Sequence, residues 1–277
     1  MCCILLNWLL LVFFKIVETR SVHTIAHLVR WSPWPFLGGL SGVFIATRFV
    51  VWFQFGEWGI SVAAITVGAF VGAKWWIDVS AEGVSGEYTP LIVDGIQLGI
   101  LWFLFSELCF FGAFFWSFFH YSLSPAIEVG NTWPPVGLHT VNPIHLPLLN
   151  TVVLLRSGAT VTLAHHLVVS GRRADLWIWW TVFLGGYFTA LQATEYINTH
   201  FTISDSSYGA IFFIATGFHG THVIIGAITL SVSWLRMWKG LIGVWDHLGL
   251  ELAIWYWHFV DVIWLILFVV IYWWGGA

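Results

Sequence analysis

The run Gln97–His120 constrains this chain more than any other stretch. It reads Gln-Leu-Gly-Ile-Leu-Trp-Phe-Leu-Phe-Ser-Glu-Leu-Cys-Phe-Phe-Gly-Ala-Phe-Phe-Trp-Ser-Phe-Phe-His, with one carboxyl, Glu107, near its middle. A bilayer hydrocarbon core of ~30 Å takes about 20 helical residues. The run is long enough to cross, and Glu107 then falls close to the midplane. A charged carboxyl at that depth costs roughly 2.5–3.5 kcal/mol on insertion scales. Glu107 is therefore expected to be protonated, hydrogen-bonded inside a helical bundle, or both.

The rest of the chain follows the same pattern. Only 9% of its 277 residues are charged and 59% are hydrophobic, whereas a soluble domain carries about 25% charged residues. An all-α, polytopic membrane protein is expected. Residues 1–31 form an N-terminal extension, in which apolar Cys2–Val17 is short for a span and suits an interfacial helix. Residues 32–277 form a transmembrane domain with spans at roughly Trp34–Phe55, Ile60–Ile77, Gln97–His120, Leu146–Val169, Leu176–Ile197, Tyr208–Trp234 and Leu250–Trp274. Asp78–Asp94 reads as a polar loop, and the proline-rich Tyr121–His145 is too irregular to lie in lipid. Seven spans put Lys15, Arg20, Arg30, Arg172, Arg173, Arg236 and Lys239 on one side, with Lys74 at the adjoining helix end and no Lys or Arg on the other. That asymmetry is what the positive-inside rule predicts.

Composition also removes function classes. There is no glycine-rich phosphate loop and no basic run, so nucleotide and nucleic-acid partners are not expected. Cys2, Cys3 and Cys109 offer neither a disulfide framework nor ligand spacing. No internal repeat suggests an inverted-repeat transporter.

The polar minority within the spans carries whatever chemistry the chain has. For Glu107 the readings are proton traffic, a hydrogen bond to a partner subunit, or a carboxyl satisfied by a neighbouring helix. His219 and His222 are three apart and share a helix face. With His165, His166 and His258 they could suit a metal, but a structural polar cluster is the plainer reading and no metal site is assigned. His258 and Asp261 are also three apart, so the carboxylate could orient the imidazole or both could bond neighbouring helices. Glu195 lies near a span end and joins the same structural set. Trp75, Trp76, Trp116 and His120 sit at span ends, where aromatic belts and lipid head-group contacts are expected. Arg236 and Lys239 lie on the positive surface, suited to lipid phosphates. No nucleophile, base or cofactor cage emerges.

Several long motifs stand together in the chain: Trp255-Tyr256-Trp257-His258-Phe259-Val260-Asp261-Val262-Ile263-Trp264 with the Tyr272-Trp273-Trp274-Gly275 ending, Ala215-Thr216-Gly217-Phe218-His219-Gly220-Thr221-His222-Val223, Phe201-Thr202-Ile203-Ser204-Asp205, and Gln192-Ala193-Thr194-Glu195-Tyr196. Pro147-Leu148-Leu149-Asn150-Thr151, Ala164-His165-His166 and the Ser106-Glu107 to His120 span join them. Together, and in order from Ser32 to Gly275, they resemble the cytochrome c oxidase subunit III family, within the haem–copper oxidases.

The resemblance implies seven transmembrane helices, the first two splayed from a bundle of five with phospholipids in the cleft. It implies a non-catalytic core subunit of complex IV of the respiratory chain. This chain would bind no cofactor itself; haem a and copper would lie in partner subunits. Subunit I would be its main contact, stabilised by it and assisted in proton uptake. The whole complex would carry electrons from cytochrome c, or quinol in some relatives, to dioxygen while pumping protons. Glu107 matches the family's buried carboxyl, and Trp116, His120, Arg236 and Lys239 match positions associated with lipid. Departures fall at Ile77, Ala81 and Tyr88, and at Arg156, where the family usually has a small residue. Arg156 is expected to pair with a carboxylate of another helix or subunit. The lack of a transit peptide fits a chain made in an organelle or a bacterium. The compact loops and Trp-Trp ending lean, by resemblance, to the mitochondrial inner membrane with the N-terminal side in the matrix, over a bacterial plasma membrane. The competing classes are a free-standing proton or ion transporter using Glu107, Glu195 and Asp261, and a haem-binding redox protein using the histidines.

Overall fold

The structure is a computed structural model that describes residues 31–127, 130–244 and 246–276. Residues 1–30 of the N-terminal extension, including the expected interfacial helix, lie outside the described residues. The described residues hold seven α-helices and no strand: α1 Trp34–Phe55, α2 Gly59–Val84, α3 Pro90–Leu123, α4 Leu146–Val169, α5 Asp175–Asn198, α6 Ser207–Trp238 and α7 Leu248–Leu267, which continues as a π-helix over Phe268–Trp274. All except α5 are long and apolar enough to cross a membrane. The α5 segment has 24 residues. Its Trp177, Trp179, Trp180, Tyr187 and Tyr196 weigh against it on hydropathy, although aromatic residues with a polar tip are at home near membrane interfaces.

Two boundaries depart most from expectation. The second helix does not end at Ile77 but continues to Val84, and the third begins at Pro90 rather than Gln97, so little of Asp78–Asp94 is loop. Hydropathy marks where an apolar face stops. Helical hydrogen bonding needs no apolar face, and the intervening Ala, Glu and Ile residues sustain it. Trp75 and Trp76 therefore lie inside α2 rather than at its end.

The chain divides into two compact units, residues 1–95 and 96–277, with the division in the first turns of α3. In the first unit α1 and α2 form a hairpin. Gly56, at φ 73°, ends α1 by donating its N–H to the Trp52 carbonyl, a left-handed turn that glycine adopts freely. Small residues line the contact, with Ser41, Ser61 and Ala64 buried. The Ser61 hydroxyl donates to the Arg48 carbonyl at 3.0 Å and the Trp34 indole to Asp78 Oδ2 at 2.6 Å.

In the second unit α4 packs against α5 and α7, and α6 against α5 and α7. Its key is Trp257 of α7, fully buried between Gly185 of α5 and Gly226 of α6. The 34-residue α3 meets the others through rings. Phe110 and Phe114 lie against Phe218, Phe111 against Phe259, and Phe118 against Tyr208.

Between α5 and α6 the chain turns through Thr202–Asp205. Asp205 accepts the Thr202 N–H at 2.6 Å and the Thr202 hydroxyl at 2.9 Å. Both bonds favour the charged carboxylate and hold it below the usual Asp range. A depressed folded-state pKa stabilises the turn above the unfolded value, and that contribution disappears as pH falls through the folded one. Asp205→Asn is expected to speed amide exchange at Thr202 at neutral pH, the difference from the parent shrinking in acid. Hydrogen exchange of this peptide at two pH values measures it, and equal protection at neutral pH would contradict the role.

Candidate functional site

A polar side chain within an apolar bundle is stable only with a partner, and hydrogen bonds between helices supply one. The structure gives the expected polar residues separate partners rather than one common cluster.

Glu107 of α3 meets His222 of α6, with Oε2 2.9 Å from Nε2. The other ring nitrogen of His222 lies 2.7 Å from the Phe218 carbonyl. A carbonyl only accepts, so Nδ1 carries a proton. The 2.9 Å contact then holds one more proton, either on the carboxyl as O–H···N or on the imidazole as N–H···O. In each case the pair has zero net charge, which is the state an apolar interior tolerates. Phe111 packs on the His222 ring. His219, one turn earlier and fully buried, donates from Nε2 to the Val260 carbonyl of α7 at 3.1 Å. The shared face of the two histidines thus ties α6 to α3 and α7.

His258 and Asp261 form a second carboxyl–imidazole pair, with Nδ1 3.5 Å from Oδ2. His258 Nε2 lies 3.2 Å from the Thr162 hydroxyl of α4. This pair, with Thr162 and His166, lines an open groove of about 550 Å³ between α4 and α7. His165 lies beside the His166 and His247 rings.

Glu195 is buried more deeply than its place near the end of α5 suggests, at 3% exposure. Its Oε1 accepts the Tyr272 hydroxyl at 2.6 Å and Gln192 Nε2 at 3.3 Å. Gln192 also donates to the Tyr272 oxygen at 3.2 Å and accepts from Asn150 of α4 at 3.1 Å. Asn150, Gln192 and Tyr272 were not singled out from sequence, since amides and phenols inside spans give no charge signal. The same holds for Ser157 and Thr151, which accept the Trp257 and Trp264 indole N–H groups at 3.0 Å each.

The lipid candidates are spread over several helices. Trp116 and His120 are exposed, one turn apart near the end of α3, while Arg236 and Lys239 are partly covered where α6 ends. Trp76 is more exposed than Trp75 on α2. Cys109 is a free, exposed thiol on α3. Among the described residues no three His, Cys, Asp or Glu side chains converge as a metal-ligand set.

Long apolar helices tied by internal polar pairs define a polytopic, all-helical membrane protein. The family model for cytochrome c oxidase subunit III matches residues 23–276. Cytochrome c oxidase subunit 3 of Gazella saudiya is 46% identical over 261 residues, covering 93% of this chain and 100% of the relative. The proteins of the same name from Oryctolagus cuniculus and Osphranter robustus match at the same identity and coverage. The chain belongs to the cytochrome c oxidase subunit III family and is a subunit of the oxidase complex, a proton-pumping oxidoreductase.

Proposed function

We propose that within the oxidase this chain is non-catalytic, with all seven helices crossing the mitochondrial inner membrane and the N-terminal side in the matrix. Haem a and copper reside in partner subunits. The chain packs on subunit I, stabilises it and supports its uptake of protons from the matrix side. Phospholipids occupy the cleft that the resemblance implies, with Trp75, Trp76, Trp116, His120, Arg236 and Lys239 as their contacts. The mammalian relatives and the one-sided distribution of Lys and Arg support the location and orientation.

The observation that carries this reading is the way the polar groups within the helices are used. Glu107, Glu195, His219, His222, His258 and Asp261 all have partners on other helices or along their own. They hold helices in register. The Glu107–His222 contact in addition joins a carboxyl and an imidazole that can share a proton between them.

The test is an affinity tag on this chain, with purification in mild detergent. Haem and copper absorbance should follow the tag in the intact complex and should be absent from the stripped chain. A redox spectrum in the isolated chain would end the reading. Glu107→Gln keeps a group that can donate to His222 Nε2. It should leave assembly largely intact and change initial turnover by less than the ~tenfold that 1.36 kcal/mol produces. Collapse of electron transfer in an intact Glu107→Gln complex would show the carboxyl to be indispensable.

A further inference from the structure

Arg156 stands on the outer face of α4, exposed and far from both ends of the helix. At 1.5 Å per residue it lies roughly 15 Å from the Leu146 end and roughly 20 Å from the Val169 end. A guanidinium keeps its charge in proteins, and near mid-depth it costs roughly 2.5–3.5 kcal/mol or more. Snorkelling to the interface relieves that cost for residues near helix ends. Arg156 is too deep for that, and for the same reason too deep to meet lipid phosphates. Arg48 of α1 is closer to its helix end and lies over the Phe44 ring, and Arg236 falls in the last turn of α6.

Arg156 makes no hydrogen bond or ion pair among the described residues. The carboxyls of the second unit at membrane depth are engaged elsewhere: Glu107 with His222, Glu195 with Tyr272 and Gln192, Asp261 with His258, and Glu251 with Gln97. Beside Arg156 the surface is shaped for close approach. Leu155 and Ala159 form one wall of the α4–α7 groove and Val262 and Leu265 the other. Small residues such as Ala159 are what let membrane helices come together.

We propose that the α4 face around Arg156 docks a transmembrane helix of another subunit, which brings an Asp or Glu to the depth of Arg156 and lays apolar side chains into the adjoining groove. The occupant follows from the charge. A planar guanidinium is matched by a carboxylate in a two-bond fork, and the pair enters the membrane neutral where the single ion would not. The inference rests on membership of an oxidase complex. Its readouts are contact and assembly, so it stands or falls independently of the proton-uptake role proposed for Glu107.

The test places a photo-crosslinking amino acid at Val152, which is 54% exposed and one turn from Arg156, so the arginine stays in place. Irradiation of the intact oxidase should join position 152 to a membrane-spanning peptide of another subunit with an Asp or Glu at matching depth. Neutralising that acid should lower assembled complex as much as Arg156→Gln does, by tenfold or more. Exchanging the charges, Arg156→Glu with the acid replaced by Arg, should restore most of it. Crosslinks confined to lipid would overturn the proposal. So would crosslinks to residues 1–30 of this chain, which carry the single acid Glu18, or an Arg156→Ala complex with unchanged subunit content. Because the crosslink is read with Arg156 present, a variant that fails to fold does not shield the idea.

Discussion

Gly185→Leu is expected to remove this chain from the assembled oxidase almost completely. A Cβ at Gly185 would lie 2.5 Å from Cη2 of Trp257 and 3.1 Å from Cζ2. The opposite edge of the indole is closed by Gly226, whose added Cβ would lie 2.9 Å from Cε3. The ring cannot slide away, because its Nε1–H is held by the Ser157 hydroxyl of α4 at 3.0 Å. Extra methylenes forced into a packed core destabilise by about 1–3 kcal/mol. A leucine in a slot with no free side should reach or exceed the upper end. At about 1.4 kcal/mol per tenfold, the assembled fraction should fall by two orders of magnitude, read as the amount of this chain co-migrating with the oxidase in native gels. Gly185→Ala, with the Cβ alone, should be intermediate. Wild-type assembly of the leucine variant would mean that the indole is not clamped between the two helices.

Glu195→Ala is the second large effect. It removes the acceptor of the Tyr272 hydroxyl and of one Gln192 N–H, both in the buried network that joins α4, α5 and the π-helical end of α7. Each buried group left without a partner costs about 1–3 kcal/mol. The variant should lose this chain from the complex at a lower temperature or detergent concentration. Glu195→Gln, which keeps an acceptor, should lose much less, and Tyr272→Phe should fall between the two. Subunit content after graded heating orders the three. Equal behaviour of the Ala and Gln variants would show that bulk, rather than hydrogen bonding, matters at this position.

Much of this architecture was legible in the sequence. The bounds of α1 and α4 coincide with the expected spans, because proline or glycine and a polar shift mark both ends of each. The common face of His219 and His222 followed from helical spacing. Their partners did not, since the Val260 carbonyl and Glu107 come from helices distant in the chain, and one sequence carries no record of which helices meet. Glu195 looked shallow when counted along its own helix. Its burial comes from Tyr272, which arrives from the far end of the chain. The Trp257 slot was missed because a glycine inside an apolar run marks a close approach without saying what approaches. Arg156 was visible as an oddity, and its exposure turned the oddity into a surface.

The length of α3 has a bearing on the bilayer itself. Its 34 residues extend roughly 51 Å at 1.5 Å per residue, against a hydrocarbon thickness of ~30 Å that varies by a few Å among membranes. Pro90 and Leu123 are each about 25 Å from Glu107 by the same rise. With Glu107 at the midplane, the depth expected from the sequence, about the same length of helix is left over at each rim for tilt or local thickening of the bilayer to accommodate.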